Sequence, residues 1–474
     1  MSLPHFETVT APLAHWAHER PDALALADET RQWTFAELQA AVRSRAAALA
    51  RERAPRMAWV QDVGDTAAGL IDFLAIVASG RTAAVGDPDW PATVLAGVRA
   101  WVDAAPDDAP PPGPLTPFYV GFTSGSTGLP KGFRRHHRSW AESFRVGLQT
   151  FGDGAATRML APGRLSHSLF LFGMLQGLWT GAGVRVQRQF SAARALALLD
   201  QGQAQCLVAV PSQLLLMLEL AARRRLAPIT ATRLVMISGA RWMRARTPAL
   251  RALFPLARIV EFYGASETSF MTWADADEHL PSAVVGQPFA NVELRIQGAP
   301  APGDDGLIYV RSPMVFLDYV GAADGSAALR EPDAAGDWLS VRDMGHVDEQ
   351  GRLWLAGRQQ RMIVTQGKNL FPEAVEDVLA AHPAVAAASV LGVDDALRGK
   401  TVVALLRLAD GAEPPSAADL ADWCRARLEA FKVPRRFWRV DAWPLTASGK
   451  TDHAKLVAAV AAPDKTEKPW RTPL

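Results

Sequence analysis

The sequence predicts an α/β protein: a large N-terminal domain of parallel-rich sheets with covering helices, followed by a small C-terminal α+β domain. Three observations predict it. A chain of 474 residues exceeds what one ordinary hydrophobic core accommodates. From residue 118 to 262, short apolar runs alternate with helix-patterned segments, the order of strands joined by crossover helices. Beyond Gly357 the order changes to helix, strand, strand, helix, strand, which places the division between residues 1–357 and 358–474.

Each element follows from its residues. Residues 118–122 form an apolar strand, after which Trp140, Phe144 and Leu148 fall at helical spacing. Residues 206–210 read as a strand, 214–220 as a helix, 234–237 as a strand, 247–254 as a helix and 259–262 as a strand. The C-terminal unit reads as helix 372–381, strands 386–393 and 401–408, helix 417–431 and strand 435–440. Six prolines between 103 and 117 forbid a helix or central strand and predict an exposed loop. The polar segment 462–474 is expected to fray. The interval from Gly80 to Thr123 is short and contains that proline segment. No internal repeat is present.

Composition narrows the function. Fifty Lys and Arg against 49 Asp and Glu leave a charge of +1, which argues against nucleic acid as a partner and against a polybasic membrane surface. Two distant cysteines, Cys206 and Cys424, do not make a disulfide framework. The N-terminus lacks the basic-then-apolar order of a signal peptide, and the apolar stretch 67–76 is short and interrupted by Asp72. The expectation is a soluble, cytoplasmic protein with no membrane insertion.

Directly after the 118–122 strand comes Thr123-Ser124-Gly125-Ser126-Thr127-Gly128, then Leu129-Pro130-Lys131-Gly132. Six successive hydroxylic or glycine residues can turn backbone N–H groups and hydroxyls onto phosphate oxygens, and Lys131 adds a cation. A Walker A loop needs Gly before the Lys and Ser or Thr after it; Pro130 and Gly132 stand there instead. A Ser/Gly surface linker is the competing reading, but linkers seldom follow an apolar strand and end in Pro-Lys-Gly.

The loop resembles the signature of the adenylate-forming superfamily, which includes acyl-CoA synthetases, aryl-CoA ligases, luciferases and peptide-synthetase adenylation domains. Further motifs follow in that family's order: residues 73–80 with Asp87-Pro88, Val210-Pro211-Ser212, Ser238-Gly239-Ala240, Tyr263-Gly264-Ala265-Ser266-Glu267-Thr268, Val285-Gly286-Gln287-Pro288, Asp343-Met344-Gly345, Gly357-Arg358 and Ser448-Gly449-Lys450. The resemblance covers nearly the whole chain. It implies activation of a small-molecule carboxylic acid by ATP with Mg²⁺, then transfer of the acyl group to a thiol. By the same resemblance, Thr123, Ser124, Gly125, Ser126, Thr127 and Gly128 with Lys131 hold the β- and γ-phosphates, Glu267 ligates Mg²⁺, and Ser266 and Thr268 face the nucleotide. Asp343 takes the ribose hydroxyls and Arg358 closes over the sugar. Gly239 and Ala240 lie against the adenine, while Ser238, Gly264 and His167 border the acid. Lys450 is the catalytic residue between carboxylate and α-phosphate, and Gln360 stands where the family has a charged hinge residue.

Residues 162–188 contain no Asp or Glu, so the ammonium group of an amino acid would be left unpaired there. The apolar surroundings of His167 suit an aliphatic or aromatic acid, although Phe170, Phe172 and Leu175 read equally as helix core. The 366–376 segment resembles the form found in CoA ligases, which makes CoA the expected acceptor. Loading of a separate acyl carrier protein is the alternative, and a non-catalytic nucleotide-binding scaffold the second. The cluster Arg134-Arg135-His136-His137-Arg138 could meet CoA phosphates, but reads first as a solvated basic helix start.

Overall fold

Continuous apolar runs set the centre of the large domain. The computed structural model describes residues 4–61, 64–103, 111–123, 130–301, 303–320, 328–365, 368–395, 399–445, 451–461 and 471–474. Strands Leu24–Ala27, Val184–Val186, Met159–Ala161, Cys206–Ala209, Leu234–Ile237 and Arg258–Ala265 lie side by side, all parallel. Cys206–Ala209 and Leu234–Ile237 are buried at every position, as strands covered on both faces require. Helices Ser168–Trp179, Pro211–Arg224 and Thr247–Leu253 connect strands of this half.

Beyond Arg258–Ala265 the sheet turns antiparallel, through Ser269–Asp275, Val284–Pro288, Leu353–Arg358, Asp343–Val347 and Gly306–Arg311. The parallel-rich expectation therefore holds for one half of the sheet. In the other half, strands that neighbour in both chain and sheet are joined by connections too short for a crossover, with only residues 266–268 between Arg258–Ala265 and Ser269–Asp275, while Val284–Pro288 takes an antiparallel partner from far along the chain, Leu353–Arg358.

A second sheet runs Asp318–Val320, Lys131–His136, Pro117–Thr123, Thr82–Ala84, Met57–Trp59, antiparallel across its first three strands and parallel across the rest. Residues 111–116 form no helix or strand, as the prolines predict, and Pro117 opens a strand. Helix Thr66–Ala78 is almost wholly buried, and Asp65 caps it by accepting from the Ala68 amide. The interrupting Asp72 accepts from Arg45 Nε and the Gln61 amide, each at 2.7 Å, so its charge is paired inside the apolar helix. Between the sheets, Phe270 packs on Phe262 and Phe289 at 4.8 Å and on Phe172 at 5.1 Å between ring centroids.

The small domain is a sheet of Val385–Asp395, Gly399–Leu408, Arg436–Val440 and Arg471–Pro473, packed on helices Pro372–Ala380 and Ala417–Arg425. The helix expected over 417–431 stops at Arg425; Glu429 is extended at ψ 145°, and only a short turn, Ala430–Lys432, precedes Pro434. The expected fraying of the tail fails at its end. Arg471–Pro473 pairs antiparallel with Arg436–Val440, whose edge would otherwise present unpaired backbone groups; residues 462–470 lie outside the described part. Cys206 and Cys424 are buried and free, in keeping with the expected lack of a disulfide. Among the described residues, no helix is long and apolar enough to cross a membrane.

Candidate active site

Ser124, Gly125, Ser126, Thr127, Gly128 and Lys450 lie outside the described residues. The two ends of the phosphate loop are described. Thr123 closes strand Pro117–Thr123, Lys131 opens Lys131–His136, and the two stand opposite one another in the antiparallel register. The loop thus leaves and returns at one place on the second sheet, with the Lys131 side chain buried.

Glu267 sits in the turn between Arg258–Ala265 and Ser269–Asp275. A bulge falls between Tyr263 and Gly264. A Cβ on Gly264 would stand 1.8 Å from the Ser269 carbonyl oxygen, so only glycine permits this approach. Thr268 is buried and builds the turn: its Oγ1 accepts from the Ala265 amide at 2.9 Å, and its own amide donates to the Ala265 carbonyl. Ser266 Oγ lies 3.3 Å from Ser168 Oγ, at the start of helix Ser168–Trp179. The buried Glu267 carboxylate accepts from the Tyr319 hydroxyl at 2.8 Å, and its carbonyl accepts from the Phe316 amide at 2.7 Å. Burial and the Glu267 charge push the Tyr319 hydroxyl pKa up, which keeps it a donor.

Asp343 and Arg358 face each other across two antiparallel strands. Asp343 is buried, and its carboxylate accepts from the Tyr263 hydroxyl and from Arg358 Nε at 3.3 Å. Burial raises the Asp343 pKa, opposed by Arg358 and Tyr263; burial and Asp343 together push Tyr263 well up. The Arg358 guanidinium remains exposed. An ionised carboxylate here retains lone pairs for a diol, and a cation stands beside it. Tyr263 was known only as a motif member, and its direct contact with Asp343 comes from the fold.

On the neighbouring parallel strands, Ser238 Oγ donates to the Phe262 carbonyl at 2.8 Å, bracing adjacent strand ends. Gly239 has φ +86°, and a Cβ there would lie 3.0 Å from Val210, 3.7 Å from Leu169 and 3.9 Å from His167. Gly239 and His167 therefore lie side by side, closely packed with Val210 and Leu169, and Ala240 is exposed beyond them. The His167 ring packs on Phe170 at 5.2 Å, while Phe172 and Leu175 belong to the core.

The basic cluster is a correction. Lys131–His136 is a strand and the helix begins only at His137, so alternate residues point inward. Arg135 is fully buried, and burial pushes the His136 and His137 pKa values down to about 4 and about 3. Arg134 pairs with Asp318 at 2.6 Å, and only Arg138 of the five is exposed. Sequence reasoning missed Arg135; the period-two alternation Lys131, Phe133, Arg135 was the available signal.

Gln360 is exposed in a short turn, Gln359–Arg361, between the domains. Nearby, Arg241 of the large domain pairs with Asp377 of the small one, and Ser282 Oγ donates to the same carboxylate at 3.0 Å. Among the described residues, no three His, Cys, Asp or Glu side chains cluster as a metal cage, and Glu267 has no ion-pair partner. A lone buried carboxylate suits Mg²⁺, which is commonly held by one or two carboxylates together with substrate phosphates.

Residues 61–320 match the family model described as AMP-binding enzyme, and residues 374–450 match the AMP-binding enzyme C-terminal domain. The chain is 38% identical over 359 residues to the uncharacterized acyl-CoA ligase YhfT of Bacillus subtilis, covering 75% of this chain and 71% of that protein. It is 31% identical over 371 residues to an indoleacetate-CoA ligase of Aromatoleum aromaticum, covering 75% and 70%. The fold matches O-succinylbenzoate coenzyme A synthetase from Bacillus subtilis in complex with AMP at a TM-score of 0.81 and 23% identity, over 96% of this chain and 99% of that one. The chain belongs to the family of AMP-binding enzymes, as an adenylate-forming ligase of the acyl-CoA ligase type.

Proposed function

We propose that this enzyme activates a non-amino carboxylic acid with ATP and passes the acyl group to CoA. In the first step a carboxylate oxygen attacks the α-phosphorus of ATP, and the bond to pyrophosphate breaks. In the second, the CoA sulfur attacks the acyl carbonyl, the bond to AMP breaks, and the thiol proton passes to solvent. Most of the catalysis is positioning and neutralisation of charge. Mg²⁺, when bound at Glu267, would neutralise phosphate charge.

Each residue then has a task. Thr123 to Gly128 and Lys131 would hold the outer phosphates, and Asp343 with Arg358 the ribose. Lys450 would stabilise the charge between carboxylate and α-phosphate, and Gln360 would let the small domain turn between the steps. Thr268, held inside its own turn, would act by shaping the Glu267 loop. The apolar side chains beside His167 and Gly239, among them Val210, Leu169 and Phe170, support an aliphatic or aromatic acid.

The observation that carries the reading is a run of contacts that links three pieces of the site across the two sheets. Asp343, Tyr263 and Arg358 are in contact. Tyr263 belongs to the strand that leads into the Glu267 turn. Tyr319, which donates to Glu267, lies on a strand paired with Lys131–His136 at the exit of the phosphate loop. The test is acid-dependent exchange of labelled pyrophosphate into ATP across a broad acid panel, followed by thioester formation with CoA. ATP binding without exchange for any acid would refute the enzyme reading. Acyl-AMP released unchanged in excess CoA, with acylation of a carrier protein instead, would refute CoA as acceptor.

A further inference from the structure

We propose that Arg135 is a positioning residue that ties the phosphate-loop strand to the turn carrying Glu267 and so sets how well that turn holds Mg²⁺ with ATP. The inference rests on the Mg²⁺ role of Glu267 proposed above. Arg135 lies on the same face of strand Lys131–His136 as Lys131, four residues along. Its guanidinium spans three separate pieces of chain. Nη1 donates to the Ser266 carbonyl at 2.8 Å; Nη2 donates to Ser269 Oγ and to the Met314 carbonyl, both at 2.5 Å. Nε donates to Ser139 Oγ at 3.2 Å.

These acceptors bracket Glu267 on both sides. Ser266 and Ser269 belong to its turn, while Met314 belongs to the segment whose Phe316 amide bonds the Glu267 carbonyl. Only a planar fork with several fixed donors reaches all of them; an ammonium on a flexible stem cannot. A fully buried cation is costly unless satisfied, and no carboxylate forms an ion pair with Arg135 among the described residues. Backbone and hydroxyl acceptors do the satisfying; burial pulls the Arg135 pKa down to about 9, and the nearby Glu267 charge opposes that fall. Outer contacts that orient a ligating carboxylate are typically worth about 10- to 100-fold in metal affinity; Tyr319 makes that contact directly, and Arg135 acts through the backbone and hydroxyls that hold the Glu267 turn.

The test compares wild type, Arg135→Met, which keeps bulk without charge, and Arg135→Lys, which keeps charge without the fork. ATP binding is measured by calorimetry across Mg²⁺ concentrations and in EDTA, and backbone amide exchange is followed over residues 264–270 and 313–319. Arg135→Met should raise the Mg²⁺ concentration for half-maximal ATP binding roughly tenfold or more, with affinity in EDTA within about threefold. Exchange in both segments should quicken, and Arg135→Lys should recover part of the Mg²⁺ response. Quickened exchange with an unchanged Mg²⁺ requirement would reduce Arg135 to a structural anchor and overturn the proposal. So would parallel losses with and without Mg²⁺. A wild type that binds ATP with Mg²⁺ yet activates no acid would refute the ligase reading and leave this outcome to be judged on binding alone.

Discussion

Replacing Gly264 with alanine tests whether the Glu267 turn works through rigid backbone placement. The new Cβ would stand 1.8 Å from the Ser269 carbonyl oxygen, where ordinary contact begins at 3.4 Å, so the hairpin must open by about 1.6 Å. Neither neighbour can yield cheaply. Ser269 has φ +57° and supplies a hydroxyl to Arg135, and Thr268 is bonded to Ala265 on the other side of the turn. Overpacking of this kind costs about 1–3 kcal/mol of stability. A displacement near 1 Å at a reacting centre can cost on the order of 100-fold in rate. The expected result is a lower melting temperature and a loss in pyrophosphate exchange of about that size, equal for every acid tested, because the defect lies in the turn and not in the acid pocket. A Gly264→Ala protein with unchanged melting and a loss confined to some acids would refute the backbone argument and make Gly264 a substrate contact.

Three further outcomes are expected. Asp343→Asn should weaken ATP binding by about 1.5–3 kcal/mol in calorimetry, the value of hydrogen bonds to a charged group; the ligand-free protein should melt no lower, since burial already disfavours the charged carboxylate. Arg241→Ala removes a half-exposed pair worth at most about 1 kcal/mol, so distance labels on the two domains should report a modest shift away from the described arrangement, and no shift would exclude the Asp377 contact as a latch. Lys450→Ala should lower acyl-AMP formation by roughly 100- to 1,000-fold in single turnover while supplied acyl-AMP still yields thioester; equal losses in both steps would refute its assignment.

The parts of this fold that sequence reading found are those whose signal is local. Residues 206–209 and 234–237 are unbroken apolar runs because both faces are covered, and they stand out without knowledge of their neighbours. Val284–Pro288 and Leu353–Arg358 are only partly buried, and their place in the sheet is set by partners distant in the chain, which no window reveals. Tyr263 could be read as a motif member, but its partner Asp343 lies 80 residues away. Arg135 was misread for a different reason. A strand and a helix start share the same polar residues, and whether an arginine faces solvent or core depends on one residue of phase. The edge strand Arg471–Pro473 has no apolar pattern of its own and exists because Arg436–Val440 offers it an edge.

The chain between the domains shows why an uncharged residue can stand at Gln360. On the large-domain side, the Gln359 amide donates to the Arg342 carbonyl, and Arg342 Nη1 donates to the Gln359 side chain, both at 2.9 Å. On the small-domain side, Arg361 is clamped to helix Pro372–Ala380 by Glu373 at 2.9 Å and Glu376 at 2.5 Å. Each neighbour thus belongs to a different body. A rotation taken up at Gln360 spares both sets and gives up the bond from the Met362 amide to the Gln359 carbonyl at 3.3 Å that closes the turn, whereas a pivot one residue earlier or later must break one of the sets. A hinge needs torsional freedom between two anchored residues and not a particular charge. The anchors supply that condition here, and the departure from the family's charged residue at this position does not argue against domain rotation between the two half-reactions.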